Sequence, residues 1–365
     1  MQGSPGRQVK LTNEYQKLSK VPLLIAMDAE WGLGMRLDST ITYPRQLTIG
    51  ACTDDSLTYF FGRELARQLK RIGVHVSFSP VVDINNNCKN PVISNRAFGE
   101  PKDWVASQSL MYMNGLQEHG VLACAKHFPG HGDTEVDSHK DLPIIPHNRS
   151  RIDSLELHPY RHLIRHGLGS VMTGHLNVPA WDSQSHLPAT LSENLINGLL
   201  RTELCFDGLV FPDAMNMQGV AKHFKTGEMD MLAVKAGNDI VLFPSDVEKA
   251  ITEIKNAVDS GIISIESIDA HCLRVLKTKY WTGAWKREKI KSIKVTEELN
   301  TVEALNIRRN IIESSITLIR NNNQMLPLAG NQGTQNMIVS IGSSADNAFT
   351  ASMEHYGIYK KIGTS

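Results

Sequence analysis

Short, unbroken apolar runs alternate along the chain with longer stretches of helical spacing. The runs are Val21–Met27, Val74–Phe78, Val121–Ala125, Ser170–His175, Leu209–Phe211 and Asn238–Phe243. Each is short and nearly continuous, as expected of strands covered on both faces. Between them, apolar residues recur three and four apart over Gln8–Lys20, Leu57–Ile72, Trp104–His119, Arg151–His166, Ser192–Leu204, Val247–Val258 and Ile268–Tyr280. That spacing predicts helices with one buried face. Asp54 and Ser192 stand where N-caps are expected, and Gly73 and Gly120 where helices stop. Pro159 is expected to kink its helix or split it in two. Thr42–Leu47 reads as one further short strand. Strands alternating with helices predict a parallel sheet with helical crossovers. The count suits an α/β fold: a (β/α)8 TIM-type barrel lacking its first strand.

From Trp281 the character changes. Lys286–Lys294 is a basic, weakly apolar linker, and Val302–Glu313 has helical spacing. Ser315–Arg320 is expected to be a strand. Met337–Gly342 reads as the first strand of a second α/β domain of the sandwich type. The expected organisation is a catalytic barrel over 1–285, a linker and helix over 286–314, and the beginning of a C-terminal α/β domain over 315–365. The start resembles the loop after a strand and the end is abrupt, so the chain is expected to be a fragment of a longer protein.

Composition narrows the classes. The 365 residues carry 38 basic and 38 acidic side chains. That balance gives no electrostatic case for nucleic acid or an anionic membrane as partner. No apolar run is long enough to span a bilayer. Cys52, Cys88, Cys124, Cys205 and Cys272 are odd in number and form no Cys-x-x-Cys. They read as buried thiols, which favours a reducing compartment without excluding export.

The candidate chemistry sits where the apolar runs end, which is where α/β barrels and open α/β sheets place their sites. Val121–Ala125 runs into Lys126-His127-Phe128-Pro129-Gly130-His131-Gly132 and on to Asp137-Ser138-His139. A charge at the exit of a buried strand is costly unless paired or used. Gly130 and Gly132 permit unusual backbone angles in the loop. Asp137 is close enough in sequence to hold one ring nitrogen of His139. Asp28 ends the first run, with Glu30 close behind, and reads as a site carboxylate or as the cap of the following turn. Arg96, in the long polar loop 85–101, is a substrate clamp or an exposed ion-pairing residue. Met172 and His175 close the fourth run; His175 either lines the site or caps the core. Asp213 follows the buried run Leu209–Phe211 and is either a nucleophile or the N-cap of the next helix.

Together these positions offer a carboxylate nucleophile, a His–Asp acid/base pair and polar clamps for a hydroxylated ligand. Glycoside cleavage needs the first two on opposite sides of one bond, and usually uses two carboxylates. An imidazole titrates near neutrality and serves as the acid/base instead, with an adjacent Asp to orient it. Two other classes compete. His127, His131, Asp133 and His139 are candidate metal ligands, though at no standard spacing. A non-catalytic sugar-binding module is the third.

At Lys126–Gly132 with Asp137-Ser138-His139, the sequence resembles family 3 glycoside hydrolases of the β-N-acetylglucosaminidase branch. Phe211-Pro212-Asp213-Ala214-Met215 resembles that branch's nucleophile segment, with Pro212 where Ser is common. Asp28-Ala29-Glu30 and Asn95-Arg96-Ala97-Phe98-Gly99 also match. The resemblance implies a retaining exo-glycosidase that removes terminal β-linked N-acetylhexosamine without a cofactor. Asp213 would be the nucleophile and His139, held by Asp137, the acid/base. Asp28, Arg96, Lys126, His127, Met172 and His175 would bind the sugar. It also implies a loop around His139 that moves in and out. Phosphorolysis of the same bond, and β-glucosidase activity, are the alternatives within the family.

Overall fold

The computed structural model describes residues 3–138, 141–184, 186–324, 326, 336–357 and 359–364. They fall into two compact units, Met1–Ile316 and Thr317–Ser365.

In the first unit, α1 (Pro5–Leu18) leads to β1 (Ala26–Met27). Next come α2 (Gln46–Ile49) and α3 (Ser56–Arg71), then β2 (Val76–Ser77), α4 (Lys102–Gln117) and β3 (Leu122–Phe128). After these stand α5 (Arg149–Ser154), α6 (His158–Arg165), β4 (Ser170–Thr173), a π-helical segment (Asn194–Glu203) and β5 (Leu209–Pro212). The unit ends with α7 (Gln218–Ala221), α8 (Glu228–Ala236), α9 (Val247–Asp259), α10 (Ile265–Trp281), α11 (Val295–Leu299) and α12 (Val302–Ser315). The five strands pair in chain order, all parallel. Consecutive parallel neighbours joined by helical crossovers are the repeating unit of a TIM-type barrel. The fold is accordingly that of a curled, barrel-type α/β sheet.

Alternation along the strands sorts the core into two layers. Ala123, Ala125, Phe128, Val171 and Val210 face the helices, with Phe61, Leu65, Tyr112, Tyr160 and Leu163. Val76, Leu122, Cys124, Met172, Leu209 and Phe211 face the interior of the curl, joined by Leu24, Ala26, Ile240 and Leu242 from its two ends. Pro159 does split its helix: it stands in the first turn of α6, separated from α5, where its missing N–H costs nothing.

Five expectations are corrected. Residues 42–45 form neither strand nor helix, and Gln46 begins α2. The Gln46 side chain pairs with the Val81 backbone, accepting its N–H at 3.0 Å and donating to its carbonyl at 2.8 Å. One amide thus does what a strand there would have done. Residues 238–243 lie beside β5 without joining the ladder. Asp239 N donates to Val210 O (2.8 Å) and Met215 N to Leu242 O (2.9 Å). Ser315 is the last residue of α12, and 316–320 are not a strand; Ile316 and Ile319 are exposed, so no sheet face is there to bury them. The third strand does not stop at Lys126 but runs to Phe128. Of the cysteines, Cys52 and Cys124 are buried as expected, whereas Cys88, Cys205 and Cys272 are exposed.

In the second unit, β6 (Asn336–Ile341), α13 (Ala348–Met353) and β7 (Tyr359–Thr364) form a parallel βαβ. Asn347 caps α13 by accepting from Phe349 N and Thr350 N. No helix among the described residues is long and apolar enough to cross a membrane.

Candidate active site

The same alternation that builds the interior layer aims the site. Ala26 faces inward, so Asp28 and Glu30 continue that face past the end of β1. Leu122 and Cys124 set the parity for Lys126, and Leu209 and Phe211 set it for Asp213. A cavity of about 230 Å³ opens at these strand ends, lined by Asp28, Glu30, Arg96, Lys126, Met172 and Asp213, with His127 and Ser138.

Lys126 is buried, 2 % exposed. Its Nζ lies 2.8 Å from Glu30 Oε1 and 3.1 Å from Asp28 Oδ1. Burial works against the ammonium, but Glu30 and Asp28 overcome it and hold its pKa above the ordinary lysine range. Arg96 donates two bonds to Glu30, Nε to Oε2 (3.0 Å) and Nη2 to Oε1 (2.8 Å). This is the planar, two-point pairing that suits a guanidinium. Arg96 is therefore not an exposed ion-pairing residue. Asp28 is shared between Lys126 and Arg36, the latter at 2.5 Å. Burial would raise its pKa, but Lys126 and then Arg36 bring it below the ordinary value.

His127 marks an irregularity in β3. Lys126 pairs with Met172 and Phe128 with Thr173, so the register shifts and His127 is the unpaired residue between them. Such bulges re-aim side chains at the rims of sheets. Its Nδ1–H donates to Asp83 Oδ2 at 2.8 Å, and Arg96 Nη2 lies 3.4 Å from Nε2. Asp83 also accepts the His131 N–H at 2.7 Å, so one buried carboxylate ties the bulge to the loop that follows. Asp83 is absent from the residues singled out in the sequence, yet it obeys the rule that found Asp28 and Asp213: it is the first charge after the apolar stretch Val74–Val82.

The Gly-His-Gly loop is held by contact as well as by conformation. Gly130 has φ +144°, and a Cβ there would meet Glu156 Cβ at 2.8 Å. Gly132 has ordinary φ but lies directly against the Ile84 carbonyl, leaving no room for a side chain. His131 Nδ1 meets the Thr134 hydroxyl (2.8 Å) and Nε2 the Ser138 hydroxyl (3.1 Å). Asp133 Oδ2 accepts from His147 Nε2 at 2.7 Å. Of the candidate metal ligands, His127, His131 and Asp133 thus point to separate partners, and among the described residues no three His, Cys, Asp or Glu groups converge.

Asp213 caps no helix, because α7 begins at Gln218. Its Oδ1 accepts the Ala214 N–H at 2.8 Å, and Asp213 N donates to Thr173 O at 2.9 Å. Burial opposes its ionisation, but His127 and His175 when charged, the Ala214 N–H and Lys126 prevail, and its pKa falls below the ordinary carboxylate value. His175 does not line the cavity. It is buried behind the Asp213 segment, its Nε2–H donating to the Ala214 carbonyl (3.0 Å) with Nδ1 2.9 Å from the Thr190 hydroxyl. Met172 lines the cavity from β4. His139 lies outside the described residues. Asp137 is described: its carbonyl accepts from Asp141 N at 3.0 Å, and its neighbour Ser138 lines the cavity.

The family model of the glycosyl hydrolase family 3 N-terminal domain matches residues 6–278. The chain is 32 % identical over 311 residues to a β-hexosaminidase of Nitrosomonas eutropha, covering 83 % of this chain and 88 % of that protein. It is 31 % identical over 300 residues to β-hexosaminidase A of Pseudoalteromonas piscicida, covering 74 % of this chain but spanning only 50 % of that relative's length. Among solved structures, a family 3 β-N-acetylglucosaminidase from a Paenibacillus species superposes with a TM-score of 0.86 at 34 % identity, covering 99 % of this chain and 72 % of that one. With a carboxylate-lined pocket at the ends of parallel strands and a match over most of its length, the chain belongs to glycosyl hydrolase family 3.

Proposed function

We propose that the chain is the catalytic part of a retaining exo-glycosidase that releases terminal β-linked N-acetylhexosamine, with residues 1–285 as the catalytic barrel, 286–314 as linker and helix, and 315–365 as the beginning of a second α/β domain. One observation carries the reading: Asp213, with its pKa below the ordinary range, closes the strand-end pocket that Asp28, Arg96 and Lys126 also line. The names of the relatives supply the sugar.

In the first step, an Asp213 oxygen attacks the anomeric carbon while the bond to the leaving oxygen breaks. His139 gives that oxygen its proton. In the second step, water passes a proton to the His139 imidazole and its oxygen attacks the anomeric carbon, releasing the Asp213 carboxylate. Asp137 orients the His139 ring and stabilises its charged form. Asp28, half-exposed at the mouth, and the cations Lys126 and Arg96 hold sugar hydroxyls. His127 is fixed by Asp83 for the same task, and Met172 offers an apolar floor. His175 acts through the Ala214 carbonyl, setting the backbone of the nucleophile.

The test is hydrolysis of an aryl β-N-acetylglucosaminide beside the matching β-glucoside, each with and without phosphate. Cleavage of the first, with free sugar as product in either buffer, is expected. Asp213→Ala is expected to lower turnover by about 10³-fold or more at unchanged fold. Full activity in that variant removes the assignment of the nucleophile. Sugar phosphate as the product replaces hydrolysis by phosphorolysis.

A further inference from the structure

Basic and acidic residues balance over the whole chain, but not locally. Residues 286–294 hold five basic side chains, Lys286, Arg287, Lys289, Lys291 and Lys294, against the single acid Glu288. The stretch is laid along the first unit and fastened there. Asn13 brackets the Ile290 backbone: its Nδ2 donates to the carbonyl and its Oδ1 accepts the N–H, each at 2.9 Å. Arg71 donates to the carbonyls of Lys291 (2.7 Å) and Ile293 (3.0 Å), and Arg287 to that of Ser19 (2.6 Å). The Ile290 side chain packs on the core beside Gly73, where a Cβ would stand 3.0 Å from its Cγ1.

With the backbone and Ile290 held inward, the basic side chains border two adjoining grooves. One, of about 240 Å³, is lined by Lys70, Lys286 and Arg287 together with Thr12, Gln16 and Thr282. The other, of about 410 Å³, is lined by Lys70, Lys289, Lys291 and Lys294 together with Arg71 and Ile293. The acids on their walls are Glu288 and Glu298, and Glu298 is already paired with Arg71. The five lysines are exposed, and among the described residues none of them is held in an ion pair. The grooves lie away from the catalytic pocket: the first is walled by Val74 and His75, which precede β2, and by Gly120, which precedes β3. That is the entry end of the strands, whereas Asp213 stands at the exit. Trp285, next to Lys286, stacks on the exposed Tyr280 with centroids 5.9 Å apart and 16° between the planes.

We infer that these grooves are a second binding site, for an acidic polysaccharide chain. Lysines of one sign lining a concavity raise the local concentration of anions there. A groove admits a strand of polymer, whereas a bilayer is too flat to enter one. The hydroxyl and amide groups of Thr12, Gln16 and Thr282 offer hydrogen bonds to sugar hydroxyls, and the Tyr280–Trp285 stack offers an aromatic face to a pyranose ring. A single-stranded nucleic acid is held by stacking successive bases on aromatic side chains, and no Phe, Tyr or Trp lines either groove. Such a site tethers the protein to a charged polymer and leaves the strand-exit pocket open. It does not depend on the catalytic reading.

The test is binding of the full chain to polygalacturonate, with neutral dextran, oligo(dT) and phosphatidylglycerol vesicles alongside, at about 50 mM salt, where surface charges are only partly screened. Polygalacturonate is expected to bind and to be released by added salt; dextran is not expected to bind. Lys289→Gln combined with Lys291→Gln is expected to weaken that binding about 10-fold or more, whereas Lys249→Gln combined with Lys255→Gln, which removes the same charge from α9, changes it less than about 2-fold. All four lysines are exposed, so neither pair of changes should move the melting midpoint. No binding of polygalacturonate by wild type, binding that salt does not weaken, or equal losses in the two paired variants overturns the site. Tighter binding of oligo(dT) or of the vesicles than of polygalacturonate overturns the acidic glycan as its ligand.

Discussion

Glu30→Gln tests the electrostatic logic of the pocket most directly. The Glu30 side chain is 1 % exposed and is the common partner of two cations, the part-buried Arg96 at 2.8 and 3.0 Å and the buried Lys126 at 2.8 Å. Glutamine keeps the shape but removes the charge, and turns an NH2 toward a donor. Lys126 would keep Asp28 at 3.1 Å, whereas Arg96 would exchange its two-point pairing with a carboxylate for one bond to a neutral amide oxygen, beside the Val92 carbonyl at 3.3 Å and the His127 ring at 3.4 Å. Breaking a buried pair and leaving an uncompensated charge costs about 3–5 kcal/mol. At roughly 2–4 °C per kcal/mol for a unit of this size, the melting midpoint falls by about 10 °C. The pH dependence is a second check. Burial opposes ionisation of Glu30, but Lys126 and Arg96 hold its pKa far below the ordinary range. A carboxyl lowered on folding contributes its stability above its unfolded pKa, about 4.3, and loses it as pH falls through the folded value. The difference between wild type and Glu30→Gln, from denaturant melts, is therefore constant from about pH 8 to pH 5 and shrinks only in stronger acid. A cost below about 1 kcal/mol at pH 7, or a difference that declines between pH 7 and 5, refutes the account.

Further expectations follow from the same structure. Burial pushes His75 and His131 down to about 4, so folding favours the uncharged rings. Stability from this source is complete above the unfolded pKa of about 6.5 and is lost as pH falls toward 4, by up to about 2 kcal/mol per ring between pH 7 and 5. Denaturant midpoints measure it: His75→Gln, which removes the ring whose Nδ1 accepts from Ile25 N at 3.1 Å, should flatten the slope, and an unchanged slope contradicts the assignment. Thiol titration of the native protein should find Cys88, Cys205 and Cys272 reactive and Cys52 and Cys124 protected until unfolding. The Cys124 thiol is raised to about 12 by burial. Rapid labelling of all the cysteines would mean that the β3 layer opens.

Much of the layout is legible in the chain because its signals are local. Apolar runs and helical spacing register burial one residue at a time, so the positions of β1 to β5 and of the long helices follow from period and punctuation. The segments misread are those whose pairing depends on distant residues. Residues 42–45 are replaced as a strand by the Gln46 amide on Val81, and 238–243 lie beside β5 without a ladder, although their composition resembles that of the true strands. The Cys205 thiol lies outside the core despite its apolar neighbours.

The site divides the same way. The rule that a charge ending a buried run is paired or used, together with strand parity, picks out Asp28, Lys126 and Asp213, because alternation fixes which side chains continue the inward face. Which charges then neutralise which is a property of space. Glu30 is the hub for Arg96 and Lys126, Arg36 takes Asp28, and Asp83 ties the bulge at His127 to the His131 backbone. No spacing in the sequence encodes these partnerships, since their members are brought together by the curl of the sheet. Gly219 is the extreme case: a Cβ there would stand 2.8 Å from the Ser138 carbonyl oxygen and 3.0 Å from that of Asp141. A glycine in a short helical turn has no chemical signal at all, and only packing two segments some eighty residues apart in the chain reveals why nothing larger stands there.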